Sequence, residues 1–149
     1  MYNGGLFCLI LTVLIAASLA IDTFQSSTKN TFTANLAIDG SGDTCAETGF
    51  EAYPWLTVDY NTNVTISSLT ILGRNIPHLR VRIGDELENL EYRKGFKYNP
   101  ICASPRLPPY TNEITVNCGT TRTGRYLTIE STDMELTSLN ICNIKLNTA

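Results

Sequence analysis

The sequence predicts an all-β fold, an antiparallel jelly-roll β-sandwich. Three observations carry that expectation. Short runs of alternating apolar and polar residues recur along the chain, turn-forming Gly, Pro and Asn separate them, and no stretch of useful length has a helical period. Twenty threonines, with abundant Ile, Val and Tyr, bias the composition the same way, because β-branched and aromatic side chains fit a pleated surface.

The strands follow in order. Leu56, Val58 and Tyr60 alternate with Thr57 and Asp59, which reads as a strand with one buried face. From Val64 to Leu72 the apolar parity changes, with Val64 and Ile66 before Ser67-Ser68 and Leu69 and Ile71 after it; a bulge there restores the inward face. Val81 and Ile83 alternate with Arg80 and Arg82, and Leu127 and Ile129 with Thr128 and Glu130. A second parity slip separates Leu139 and Ile141 from Ile144 and Leu146, on either side of Cys142. Only Asp85 to Glu91 suits a short helix, and there is no internal repeat, low-complexity run or linker. The chain therefore reads as one domain, residues 21–149, behind a leader.

That leader is residues 1–20. It carries no side-chain charge, runs apolar from Leu6 through Ala17 and closes with the small-x-small pattern Ser18-Leu19-Ala20, the kind cleaved before Ile21 on export. No later stretch is long and apolar enough to span a bilayer, so the expectation is a secreted, extracellular protein without a transmembrane segment. Cysteine usage agrees. Cys8 leaves with the leader, and Cys45, Cys102, Cys118 and Cys142 form an even set suited to two disulfides, for which three pairings are open. No CxxC is present and the lone His78 is remote, which argues against structural zinc. Asn63-Val64-Thr65 is a glycosylation sequon. A net charge of −3 excludes nucleic-acid binding by bulk charge.

The motif order points to a family. Ala37-Ile38-Asp39-Gly40, Cys45-Ala46-Glu47-Thr48 and Pro54-Trp55-Leu56-Thr57-Val58-Asp59 come first. Val81-Arg82-Ile83-Gly84, Asn99-Pro100-Ile101-Cys102-Ala103, Gly124-Arg125-Tyr126-Leu127-Thr128-Ile129 and Cys142-Asn143-Ile144-Lys145-Leu146 follow. This series resembles the fucolectins, the F-type lectin branch of the discoidin-like (coagulation-factor type C) sandwiches, over nearly all of residues 21–146.

The resemblance implies two disulfides, Cys102–Cys118 and Cys45–Cys142. In the loop-entropy account the first contributes about 3 kcal/mol and the second, which closes most of the domain, about 4.7 kcal/mol. The second bridge holds the loop after Gly40 against the last strand, where the family has its calcium. That loop, Asp39-Gly40-Ser41-Gly42-Asp43-Thr44, offers oxygens at alternate positions, as a hard cation requires. By resemblance Asp39 is a calcium ligand, completed by backbone carbonyls, and the candidate set is Asp39, Ser41, Thr44 and Asn143. Ser41 stands where the family usually has Asn and Asn143 where it usually has Glu, so the site is expected to bind Ca²⁺ more weakly or not at all.

Fucose-binding members place a His in the motif matching Cys45 to Thr48, followed by two basic residues. Such cations fork onto adjacent sugar hydroxyls while an apolar surface takes the ring's hydrophobic face. Here the His position is Glu47, Arg74 matches the first basic residue, and the shorter loop Asn75-Ile76-Pro77-His78-Leu79 lacks a clear second one. Two readings compete. In one, Glu47 and Arg74 form a polar pair that still takes a glycan, with His78 or Arg80 assisting. In the other the site is lost, and Glu47 and Arg74 are an ordinary rim ion pair.

Trp55 and Tyr126 read as packing residues, Tyr126 with Arg125 at a strand edge. Arg80, Arg82, Arg93, Lys94 and Lys97 interleave with Glu86, Glu88 and Glu91 as a mixed solvated face. Pro105 to Pro109 reads as a stiff extended loop. No nucleophile or metal-protease motif accompanies the single His, so catalysis is not expected. The expected function is a secreted carbohydrate-binding lectin, calcium-supported and gaining avidity through oligomers or arrayed glycans. The alternative is an extracellular-matrix or mineralised-matrix structural module that kept the sandwich and abandoned the sugar pocket.

Overall fold

Local alternation becomes a sandwich through two very long strands. The computed structural model describes residues 20–87 and 95–148, so the expected leader up to Leu19, with Cys8, lies outside the described residues. Among the described residues seven strands run in one hydrogen-bonded antiparallel network: β1 (Asp22–Gln25), β2 (Ala46–Glu47), β3 (Trp55–Gly73), β4 (Leu79–Gly84), β5 (Ile101–Ala103), β6 (Glu113–Ser131) and β7 (Asn140–Thr148). Their order is β2-β7-β3-β6-β4-β5, with β1 paired to β3.

β3 and β6 pair near both ends, with residues 60–63 and 118–121 outside the pairing, and the two paired stretches have different neighbours. Around Leu56 and Val58, β3 takes β1, and the matching end of β6 takes β4. From Ile66 to Gly73, β3 takes β7 instead. The register shifts between Asp59 and Val64 and between Ile66 and Ser68, which lets the two half-sheets fold over each other. Buried residues of both halves form one core: Leu56, Val58, Val81, Ile83, Leu127 and Ile129 from one, and Ile66, Leu69, Ile71, Val116, Ile141 and Ile144 from the other. At roughly 25 cal/mol per Å² of apolar area, burial of such a set dominates the driving force for folding.

Both parity slips are register shifts in the structure. Ser67 is skipped between Ile66 and Ser68, and Cys142 is skipped where Asn143 pairs with Leu72 and Ile141 with Gly73. Cys142 is thereby released from the ladder and bonds Cys45, and Cys102 bonds Cys118, the pairing the resemblance implies.

Four local expectations are corrected. The segments at Leu56 and Val64 are one continuous strand, because the chain stays extended through residues 60–63, where the pairing with β6 is interrupted. Asp85–Leu87 is not helical; the Asp85 carboxylate accepts from the Arg125 amide (3.1 Å), tying it to the neighbouring strand, and Glu88–Glu91 lies outside the described residues. Tyr126 is on an interior strand, between β3 and β4, and Arg125 stacks over its ring at 5.1 Å. Arg80 and Arg82 do not face a solvated row of glutamates, since both approach Glu130 across the β4/β6 ladder, at 3.1 and 3.9 Å, where β-pairing sets Arg80 directly opposite it. Arg93, Lys94, Glu88 and Glu91 lie outside the described residues. Among the described residues no helix is long and apolar enough to cross a membrane.

Candidate functional site

The short strand β2 places the central side chain. Glu47 pairs with Asn140 at the start of β7, and the ladder continues through Thr48, whose amide donates to the Leu139 carbonyl (3.0 Å) and whose hydroxyl accepts from the Leu139 amide (2.9 Å). On its other side Glu47 is fixed by the loop after β1. The Glu47 amide donates to the Phe32 carbonyl (3.0 Å) and its carbonyl accepts from the Lys29 amide (2.9 Å). Gln25 closes that loop, donating through Nε2 to Thr28 and to the Phe32 carbonyl.

Arg74 arrives at the same place from the end of β3. Its amide donates to the Asn140 carbonyl (3.2 Å), and the preceding residue must be glycine because a Cβ on Gly73 would stand 2.3 Å from that carbonyl oxygen. Glu47 and Arg74 thus meet on the wall of a cavity of about 150 Å³, with Asn140, Thr44 and Cys45 of the bridge to Cys142. Phe32 and Leu36 give it an apolar side, and Asp43 a second carboxylate. The arrangement combines acceptors, a guanidinium donor and an apolar wall within a volume suited to a single small polar ring.

Glu47 and Arg74 are not each other's ion-pair partner. The Glu47 carboxylate instead takes Lys29 Nζ at 2.8 Å and the Ser138 hydroxyl at 3.3 Å, both on Oε1, while the Arg74 side chain is exposed. Sequence reasoning did not single out Lys29, Phe32, Leu36, Asp43 or Asn140. No local signal marks them, since they converge from three separate segments.

The other expected sugar residues lie elsewhere. His78 Nδ1 accepts from the Leu107 amide (2.9 Å), and the His78 backbone amide donates to Asp133 (3.3 Å), so this residue ties two loops together. Arg80 is engaged with Glu130 on the β4/β6 ladder. Neither lines the cavity described above.

The expected calcium loop closes on itself. Asp39 Oδ1 accepts from the Ser41 amide (3.0 Å), Asp39 Oδ2 accepts from the Thr44 hydroxyl, and the Ser41 hydroxyl accepts from the Asp43 amide (3.3 Å). The Thr44 hydroxyl and then the Ser41 amide hold the Asp39 carboxyl below its usual range. Asn143 stands apart on β7, opposite Leu72. Among the described residues no three His, Cys, Asp or Glu side chains cluster as a metal site. Of the expected ligands only Asp39 is a carboxylate, beside hydroxyl and carbonyl oxygens, a donor set suited to weak binding of a hard cation. Asn63 is exposed on β3, between the two half-sheets.

Comparison with known proteins agrees with this geometry. Residues 36–129 match the family described as NedA-like, galactose-binding domain. Fucolectin-1 of Anguilla japonica is 31% identical over 123 residues, which cover 74% of this chain and 65% of that protein. The f-lectin (fucolectin) from Morone saxatilis serum superposes with a TM-score of 0.74 at 25% identity, covering 87% of this chain and 45% of that one. This chain therefore spans less than two thirds of the length of either relative. The family 32 CBM of Clostridium perfringens NanJ, solved with galactose, shares the fold at a TM-score of 0.68 and 16% identity, with 85% and 92% covered.

Proposed function

This chain belongs to the family of NedA-like, galactose-binding domains, and on that premise we propose that it is a secreted, non-enzymatic glycan-binding protein. The observation that carries the reading is the meeting of Glu47 and Arg74 on one small cavity with Phe32 and Leu36. A neutral sugar presents adjacent hydroxyls that can donate to the carboxylate and accept from the guanidinium, while its apolar face rests on the aromatic and aliphatic wall. Relatives named as fucolectins, and a module of the same fold solved with galactose, support a small hexose as the unit recognised. Single-site affinity is weak in so small a cavity, and useful avidity comes from self-association or arrayed glycans.

Calcium support belongs to the same proposal. The loop of Asp39, Ser41 and Thr44 supplies the oxygens, and the role of the ion is to stiffen the segment that carries Thr44 into the cavity wall. Asn63 is proposed as the glycosylated position of the exported chain.

A glycan array probed with residues 21–149, with and without EDTA, tests the function. Binding to fucosylated or galactosylated glycans that Arg74→Ala abolishes supports it. A blank array at high valency overturns it and favours the extracellular-matrix structural module.

A further inference from the structure

An ion pair to one wall residue of this cavity, Glu47, bears on which sugars enter. An arginine facing solvent without a side-chain partner forks readily onto a carboxylate, so a cavity whose wall held only Arg74 would favour sugar acids. Here the wall also carries the Glu47 and Asp43 carboxylates. Glu47 is held in place from outside: Lys29 Nζ at 2.8 Å and Ser138 Oγ at 3.3 Å both bond Oε1, which leaves Oε2 for a ligand hydroxyl. The Lys29 side chain is 42% exposed and that of Glu47 17%, so the carboxylate is the more buried end of the pair. A carboxylate can only accept. It therefore welcomes a hydroxyl and repels a second carboxylate, a repulsion that costs more than a rim contact because Glu47 is largely desolvated.

We infer that the Lys29–Glu47 pair is the specificity element of this site: it sets the cavity for uncharged vicinal diols and against carboxylated sugars, with Lys29 a positioning residue that acts through Glu47. The inference rests on the glycan reading above. It assigns to the segment after β1 a role that no motif in the sequence indicates.

The test uses residues 21–149 on a biosensor, with albumin carrying L-fucose, D-galactose or N-acetylneuraminic acid as the three probes. The wild-type chain is expected to bind a neutral probe and to leave the sialylated one. Glu47→Gln and Lys29→Met should each weaken the neutral probe about tenfold, the scale of one hydrogen bond to a charged group. Lys29→Arg, which keeps the cation, should restore binding to within about twofold, a rescue that a general loss of stability would not give. Glu47→Gln should also narrow the preference for neutral over sialylated probe, and thermal melting of each variant reports its folding. If Arg74→Ala abolishes binding while Lys29→Met and Glu47→Gln bind like the wild type, the inference is overturned and the glycan reading stands. Preference of the wild-type chain for the sialylated probe also overturns it. A wild-type chain silent on all three probes removes the glycan reading and this inference with it.

Discussion

Cys45 and Cys142, separated by 97 residues, are bonded beside the cavity that Glu47 and Arg74 line. The bridge fastens the loop ahead of β2 to β7, at the register shift where Cys142 has no partner on β3. The second bridge, Cys102–Cys118, lies between β5 and β6 and closes a loop of only 16 residues.

The two bridges should therefore separate in experiment. Replacing Cys45 and Cys142 by Ala is expected to cost about 4–5 kcal/mol and to lower glycan binding, whereas the Cys102, Cys118 double variant loses about 3 kcal/mol with binding retained. Denaturant melts alongside biosensor titrations read both effects. Equal losses of binding in the two variants would show that the first bridge has no special place at the site.

A buried hydroxyl pair offers a second check. Thr57 and Thr128 face each other across β3 and β6 with their hydroxyls 2.8 Å apart, and both are fully buried. Thr57→Val leaves the Thr128 hydroxyl without its partner and should destabilise by about 1–3 kcal/mol. The double variant Thr57→Val, Thr128→Val removes both polar groups at nearly constant shape and should recover most of that loss. Additive costs in a double-mutant cycle would contradict the pairing.

Acid stability should depend on Asp59. Burial pushes this carboxyl up, but the hydrogen bonds from Arg125 (2.7 and 2.9 Å) and from the Asn61 amide (2.8 Å), with the Arg125 charge, outweigh it and hold the group below its ordinary value of 3.8. A carboxyl depressed on folding stabilises the native state above its unfolded value, and that contribution is lost as pH falls below 3.8 toward the folded value. Arg125→Met should lower the melting temperature by several degrees at neutral pH and raise the acid-unfolding midpoint, with the two curves converging at lower pH. Parallel curves across the whole range would refute this assignment.

For calcium, a donor set with one carboxylate predicts dissociation in the millimolar class, as in weak extracellular modules. At ten times the dissociation constant the added stability is about 1.4 kcal/mol, enough to raise the melting temperature by a few degrees. Asp39→Asn should remove that calcium-dependent rise, and magnesium should not reproduce it. A melting temperature indifferent to 10 mM-scale calcium, about the concentration needed, ends the proposal.

Much of the fold was legible because strand burial writes a period of two into the chain. Leu56 and Val58, Val81 and Ile83, and Leu127 and Ile129 are core residues for that reason, and the slips at Ser67 and Cys142 announced the register shifts. The family motifs also placed Glu47 and Arg74 at one mouth, and the structure brings both to the same cavity. Sequence alone determined which residues face inward and, through the resemblance, which cysteines pair.

Tertiary structure alone decided who partners whom. Glu47 bonds Lys29 and Ser138 rather than Arg74, and Arg80 bonds Glu130 rather than helping at the cavity. It also made one strand, β3, of what looked like two, and extended the strand at Leu127 and Ile129 back to Glu113. The physical reason is range: alternation and turn chemistry act over a few residues, whereas the partner of a charged side chain is whichever opposite group the folded ladder brings within about 4 Å of it.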